Sequence, residues 1–155
     1  MAVDRVRAAL RAAGLQSEVA EFPAGTRTAE DAARALGTTV AQIVKSLVFL
    51  ADGRPVLALV SGANRVDERK LAAACRAERV SKADAGRVRE ATGFAIGGVP
   101  PLGHHRPLPV VLDQDLLQHE VVFAAAGTPT AVFPIAPADL LRVTGAQSAD
   151  IRVDV

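Results

Sequence analysis

Two apolar runs, Lys45-Ser46-Leu47-Val48-Phe49-Leu50 and Pro55-Val56-Leu57-Ala58-Leu59-Val60, restrict the fold more than any other feature of the chain. Between them stands Ala51-Asp52-Gly53-Arg54, and Asp-Gly supplies the positive φ values that a tight hairpin turn needs. Neither run alternates cleanly between apolar and polar residues, so both faces of these strands must be covered. A hairpin of this kind belongs in a sheet beneath helices, which predicts a mixed α/β fold. The helices are legible elsewhere. Val3, Val6, Leu10 and Ala13 have helical spacing, with Arg5, Arg7 and Arg11 between them and Gly14 as a stop. Thr28 precedes Glu30 and Asp31 in the manner of a capping box and opens a helix to Leu36, before Gly37. Asp67 caps a helix through about Arg76, Asp84 another through about Ala91, and Pro137 begins a last one to about Val143. Further strands are expected at Ser17–Phe22, Leu108–Asp113, Glu120–Ala125 and Thr130–Ile135. Arg79-Val80 is too short to assign, and nothing in the pattern orders the strands.

A chain of 155 residues is one domain's worth of sequence. The expectation is therefore a single α/β domain over residues 1–155, its central sheet mixed and mostly antiparallel and flanked by helices. Half of the residues are hydrophobic, yet there is no Trp or Tyr and there are five Phe, so the core must be built from Ala, Val and Leu. No stretch has the length of a membrane span or the form of a signal peptide, which predicts a cytoplasmic protein with no membrane partner. Cys75 is the only cysteine, leaving no disulfide framework and no paired-cysteine metal site. A formal net charge of +1 argues against a general coating of nucleic acid, DNA included. The distribution is uneven, however: Arg65 to Arg89 holds eight basic and four acidic residues, whereas Pro107 to Val155 holds two and six. A local basic patch suits contact with a phosphate backbone at one end only.

The second conspicuous stretch is Phe94-Ala95-Ile96-Gly97-Gly98-Val99-Pro100-Pro101-Leu102-Gly103-His104. Adjacent glycines allow positive φ and close approach to the main chain, while Pro100 and Pro101 stiffen the second half of the run. This predicts a rigid loop with exposed backbone, able to present main-chain groups to an ester, a ribose or a phosphate. Lys45, at the start of an apolar strand, must either reach water or face a cleft. His104 is the candidate general base, although His105 and Arg106 directly after it read equally well as a surface cluster. His119 has no evident partner and is expected at the surface. A nucleophile elbow is absent, since Ser61-Gly62 lacks the preceding glycine, and the three histidines have no metal-ligand spacing. The residues therefore predict no metal and no cofactor.

The Gly97 to His104 run, taken with Ile43-Val44-Lys45-Ser46-Leu47-Val48-Phe49 and Ala125-Ala126-Gly127, resembles the YbaK family, the prolyl-tRNA-synthetase-associated editing domain, over nearly the whole chain. The resemblance implies an enzyme that hydrolyses the ester of mischarged aminoacyl-tRNA in trans. It implies that Lys45 lies in the editing pocket against the terminal nucleotide, with Ser46 in the family's small hydroxyl position beside it. Gly97 and Gly98 would then act catalytically through the backbone, polarising the ester carbonyl or orienting water, with Pro100 holding that geometry. Asn64 and Arg65 are expected at the pocket mouth against the tRNA acceptor end, and His104, Ala125 and Gly127 along its wall. Many members carry serine where Ala125 stands, so a cysteinyl-tRNA preference does not carry over. With no triad legible, positioning of ester, water and the substrate's own hydroxyl must supply most of the rate. The implied partners are mischarged tRNA and an aminoacyl-tRNA synthetase. Two rivals stand beside this reading: a binding module for aminoacyl-tRNA or a synthetase that cleaves nothing, and a hydrolase of another small nucleotide-linked ester or phosphate.

Overall fold

The computed structural model describes residues 2–22 and 28–154. In chain order these form α1 (Ala2–Ala12), β1 (Ala20–Glu21), α2 (Ala29–Leu36), β2 (Ile43–Ala51), β3 (Arg54–Ser61), α3 (Glu68–Cys75), β4 (Val80–Lys82), α4 (Ala85–Thr92), β5 (Val110–Asp113), β6 (Val122–Ala125), β7 (Ala131–Ile135), α5 (Pro137–Thr144) and β8 (Gln147–Ala149). Short 3-10 turns precede β2 and follow β5. The helix boundaries follow from their caps. Thr28 Oγ1 accepts the Asp31 N–H, Asp67 takes those of Arg69 and Lys70, and Asp84 takes that of Arg87. Gly37, Gly93 and Gly145 close α2, α4 and α5 in the left-handed conformation, where a glycine costs least.

The hairpin is the centre of the sheet. β2 and β3 pair antiparallel from Val44↔Ser61 to Ala51↔Arg54, through a turn with φ of 48° at Asp52 and 83° at Gly53. The strand order is β1-β7-β6-β2-β3-β5-β8, with β4 also on β2. β6, β5 and β8 join in parallel to β2, β3 and β5 respectively, while the other pairings are antiparallel. β4 and β8, three residues each, carry no pattern that a sequence reading could detect. β4 is placed by a tertiary contact: the Asp52 carboxylate accepts the N–H groups of Glu78 and Arg79, and Asp52 donates its own to the Arg79 carbonyl.

One consequence of this topology makes the site. β6 and β4 share the same edge of β2 but meet opposite ends of it, β6 at Ile43 and Val44 and β4 from Phe49 to Ala51. Among the described residues, no strand neighbours 45–48 on that edge. Because Ile43 gives its carbonyl to Gly62 on the β3 side and Val48 gives its own to Ala83 on the β4 side, ladder alternation turns the main chain of Ser46 into the gap.

Both faces are covered, as the apolar hairpin requires. On one, Val44, Val48, Leu57 and Leu59 pack with Val6 and Leu10 of α1, Val88 of α4, Leu140 of α5 and the loop residues Phe94 and Val99. On the other, Phe49, Val56, Ala58 and Val60 meet Leu71 of α3 and Ile151, while Ile43 meets Ala32 and Ala33 of α2. Among the described residues no helix is long and apolar enough to cross a membrane.

Candidate active site

The gap in the sheet opens into a cavity of about 330 Å³, large enough for a small-molecule group. Val44, Val48, Val88, Val99, Ala124 and Val132 give it an apolar wall, and Thr28 and Ala29 at the start of α2 stand opposite. Among the described residues its polar side chains are few: Thr28, Lys45, Ser46 and Lys82. No carboxylate and no imidazole lines it among the described residues. Among the described residues no cluster of His, Cys, Asp and Glu could hold a metal ion.

Ser46 is the most informative of these residues. Its hydroxyl is buried and has no hydrogen-bond partner among the described residues. An orphaned buried hydroxyl costs about 1–3 kcal/mol, which a ligand recovers by bonding to it. Lys45, on the alternate face of β2, is half-buried and donates to the Asn64 carbonyl. Burial pushes its ammonium below the usual lysine range. Glu30 and Asp113 oppose that effect, whereas Lys82 and Arg65 add to it. The cleft thus combines a cation, an unpaired hydroxyl and unpaired strand backbone at one side of an apolar hollow.

The Gly97 to His104 loop behaves differently from its expectation. Only Ala95 to Gly97 are exposed, whereas Gly98 to Leu102 are buried. The Gly98 N–H donates to the Ala95 carbonyl at 3.0 Å, closing a turn with Gly97 at its third position and φ of 89°. That N–H is spent, so an oxyanion role for Gly98 finds no free donor. A Cβ at Gly98 would lie 2.7 Å from Thr128 Cα and 2.9 Å from the Gly127 carbonyl oxygen. Gly98 is there for backbone contact between two loops. Gly97 does line the cavity, next to Ile96 and Pro129.

His104 is tied down as well. Its Nε2 lies 2.7 Å from the Pro100 carbonyl, and since a carbonyl only accepts, Nε2 carries the proton. The ring meets Phe94 edge-on at 6.2 Å, and burial lowers its proton affinity below the ordinary value. It does not line the cavity, nor do Pro100, Gly98, Gly127, Asn64 or Arg65. Gly127, φ 104°, packs instead on the Ala2 backbone. The Asn64 side chain turns inward to Asp113 and Asp115. Lys70, basic and near in sequence, is held away by Asp150 and Asp154 at 3.0 and 2.8 Å. His119 is half-buried rather than exposed. The structure thus gathers Lys45, Ser46, Gly97 and Ala125, and adds Lys82, Ile96 and Val99, which sequence reasoning missed. Lys82 ends a strand too short to assign from sequence, so no local signal pointed to it.

Residues 23–143 match the family model of the aminoacyl-tRNA editing domain. A crystal structure described as a candidate trans-editing enzyme for prolyl-tRNA synthetase superposes with a TM-score of 0.94 at 49% identity, covering 99% of this chain and 98% of that one. A candidate Cys-tRNA(Pro)/Cys-tRNA(Cys) deacylase of Enterococcus faecalis, EbsC, is 30% identical over 80% of this chain and 76% of its own length. Proline–tRNA ligase of Elusimicrobium minutum is 41% identical over 49% of this chain, a segment that makes up 13% of the ligase. The chain belongs to the aminoacyl-tRNA editing domain family.

Proposed function

We propose that the cleft beside β2 takes the aminoacylated 3′ end of a mischarged tRNA and hydrolyses its ester, releasing the amino acid. The observation that carries this reading is the interrupted pairing of β2, which leaves Ser46 with an orphaned hydroxyl and open backbone beside the Lys45 ammonium. Lys45 and Lys82 meet the negative charge of the terminal nucleotide at the mouth. The Ser46 hydroxyl and main chain hold the ester end, and the exposed turn at Gly97 closes over it. The apolar wall, with Ala124 and Ala125 in it, accommodates a small uncharged side chain.

The chemistry requires addition of water to the ester carbonyl, then cleavage of the bond to the ribose oxygen, which leaves with a proton. With no carboxylate or imidazole among the described lining residues, the vicinal ribose hydroxyl of the substrate is the proton carrier. Backbone N–H and lysine charge stabilise the developing oxyanion. The protein acts as an editor in the cytoplasm, reading the acceptor end and working alongside the synthetase that makes the error.

The test is release of amino acid from a panel of preformed alanyl-, seryl-, threonyl- and cysteinyl-tRNAs, with native protein and Lys45→Ala. Rapid release from one or two of them, lost in the variant, is the expected result. Salt-dependent binding with no release from any would overturn the hydrolase reading in favour of a binding module.

A further inference from the structure

Behind Lys45 lies a polar chain that the deacylase reading leaves without a role. Asp113, the last residue of β5, is 1% exposed, and such a carboxylate is stable only if its oxygens are well supplied with donors. Its Oδ1 accepts the Asp115 N–H at 3.0 Å, the ordinary cap of the 3-10 turn after β5. Its Oδ2 reaches across to a loop some fifty residues earlier, accepting from the Ser61 N–H at 3.1 Å and the Asn64 side-chain amide at 2.8 Å. A cap alone needs neither the burial nor the second oxygen. The Asn64 amide also donates to Asp115 Oδ2 at 2.9 Å, and Arg152 pairs with the same oxygen at 2.9 Å. The chain's end reinforces the loop: Val153 donates to the Arg65 carbonyl and Asp67 to that of Ile151, each at 2.8 Å. The product of all this restraint is one fixed carbonyl, that of Asn64, which takes an N–H of the Lys45 ammonium.

We propose that Asp113 is a positioning residue: through Asn64 it fixes the 61–65 loop whose carbonyl holds Lys45, and so sets where the ammonium stands in the cleft. The catalytic consequence rests on the deacylase reading above, whereas the structural coupling does not. Asp113 also acts on Lys45 through space. Against the desolvation that lowers the lysine's proton affinity, Glu30 from α2 and Asp113 from β5 raise it, while Lys82 from β4 and Arg65 from the loop lower it.

Two readouts separate the coupling from the activity. The chain has three lysines, 45, 70 and 82, so protein carrying lysine labelled with carbon-13 at Cε gives three signals that can be titrated individually. In Asp113→Asn and Asn64→Ala the Lys45 signal is expected to move toward the free-lysine position, and in Asp113→Asn its titration is expected to fall to lower pH. Asn64→Ala keeps the buried carboxylate and its other donors, and it carries the test if Asp113→Asn does not fold. A Lys45 signal unchanged in a folded variant overturns the proposal, whatever the protein's substrate. The second readout is kcat/KM on a mischarged tRNA that the native protein deacylates. Each variant is expected to lose about 10- to 100-fold, the range that misplacement of a catalytic group produces. In a Lys45→Ala background neither substitution should lower the residual rate further. Equal losses with and without Lys45 would mean that Asp113 merely supports the fold. Should the native protein deacylate no tRNA, the deacylase reading fails and the lysine spectrum still decides the coupling.

Discussion

The Gly97 to His104 loop and the Lys45 to Val48 segment of β2 present opposite relations between appearance and availability. The loop, rich in glycine and proline, looks built to offer its backbone, yet Gly98 to Leu102 are buried and the Gly98 N–H is already used. The strand segment looks like ordinary core, yet it holds an unpaired edge and, at Ser46, an orphaned hydroxyl. Polar groups become available where a partner is withheld, and a strand whose edge is shared by two short neighbours withholds one as effectively as any loop. The loop's buried half packs against the backbone of Gly127 and Thr128 and sets the Gly97 turn beside the cavity. Arg5 of α1 assists, donating to the Gly93 carbonyl at 2.7 Å with its guanidinium 4.3 Å from the Phe94 ring centroid.

This contrast can be broken or sharpened by substitution. The largest effect is expected on the strand side: Lys45→Ala should lower kcat/KM for deacylation on the order of 100-fold, as loss of one donor to a developing oxyanion does. Its thermal midpoint should stay near that of the native protein. A variant that keeps native kcat/KM would remove the strand edge from the chemistry. On the loop side, Gly98→Ala should destabilise by about 2 kcal/mol, since its Cβ would run into backbone atoms at Thr128 and Gly127. Calorimetry should then show a midpoint about 4–8 °C lower. A native midpoint would mean that the two loops part easily and that Gly98 is free for another task.

A smaller effect separates packing from chemistry at His104. Losing the bond to Pro100, His104→Ala should cost about 1 kcal/mol of stability. At neutral pH and a temperature where the protein is folded, kcat should be unchanged, and a large loss there would return the imidazole to the mechanism. The pH dependence has a definite sign. Burial depresses the folded-state value of His104 below its ordinary 6.5, so the unfolded chain binds more protons as pH falls through that window. Stability is full above 6.5 and declines on acidification through the folded value, and His104→Ala should flatten that decline in denaturant titrations. The smallest effect belongs to Ile96, 59% exposed at the cavity mouth. Ile96→Ser should leave stability within about 0.5 kcal/mol, as surface changes do, while KM rises by about 5-fold from lost apolar contact.

Much of the fold was readable because its determinants are local. The Asp-Gly turn, the caps at Thr28, Asp67 and Asp84, and the closing glycines act within a few residues, and each element they delimit is present within a residue or two. The 17–22 strand shrank to Ala20–Glu21, as happens at a sheet margin where only β7 is available to pair. β4 and β8 were not readable, because three residues hold no period and their pairing depends on contacts made from afar. The same division runs through the site. Lys45 and Ser46 stood out as polar residues within an apolar strand, whereas Lys82 and Asp113 stood out in nothing.

The amino-acid sequence by itself determined an α/β sheet sandwiched by helices, because apolar strands that alternate poorly must be covered twice. It also determined the presence of a lysine and a hydroxyl at the start of the central strand. Only the tertiary structure decided that β6 and β4 stop short of one another along β2, and that Asn64 turns its side chain inward and its carbonyl toward Lys45. Strand order and edge sharing are settled by long-range packing energy, to which no local pattern in the chain corresponds.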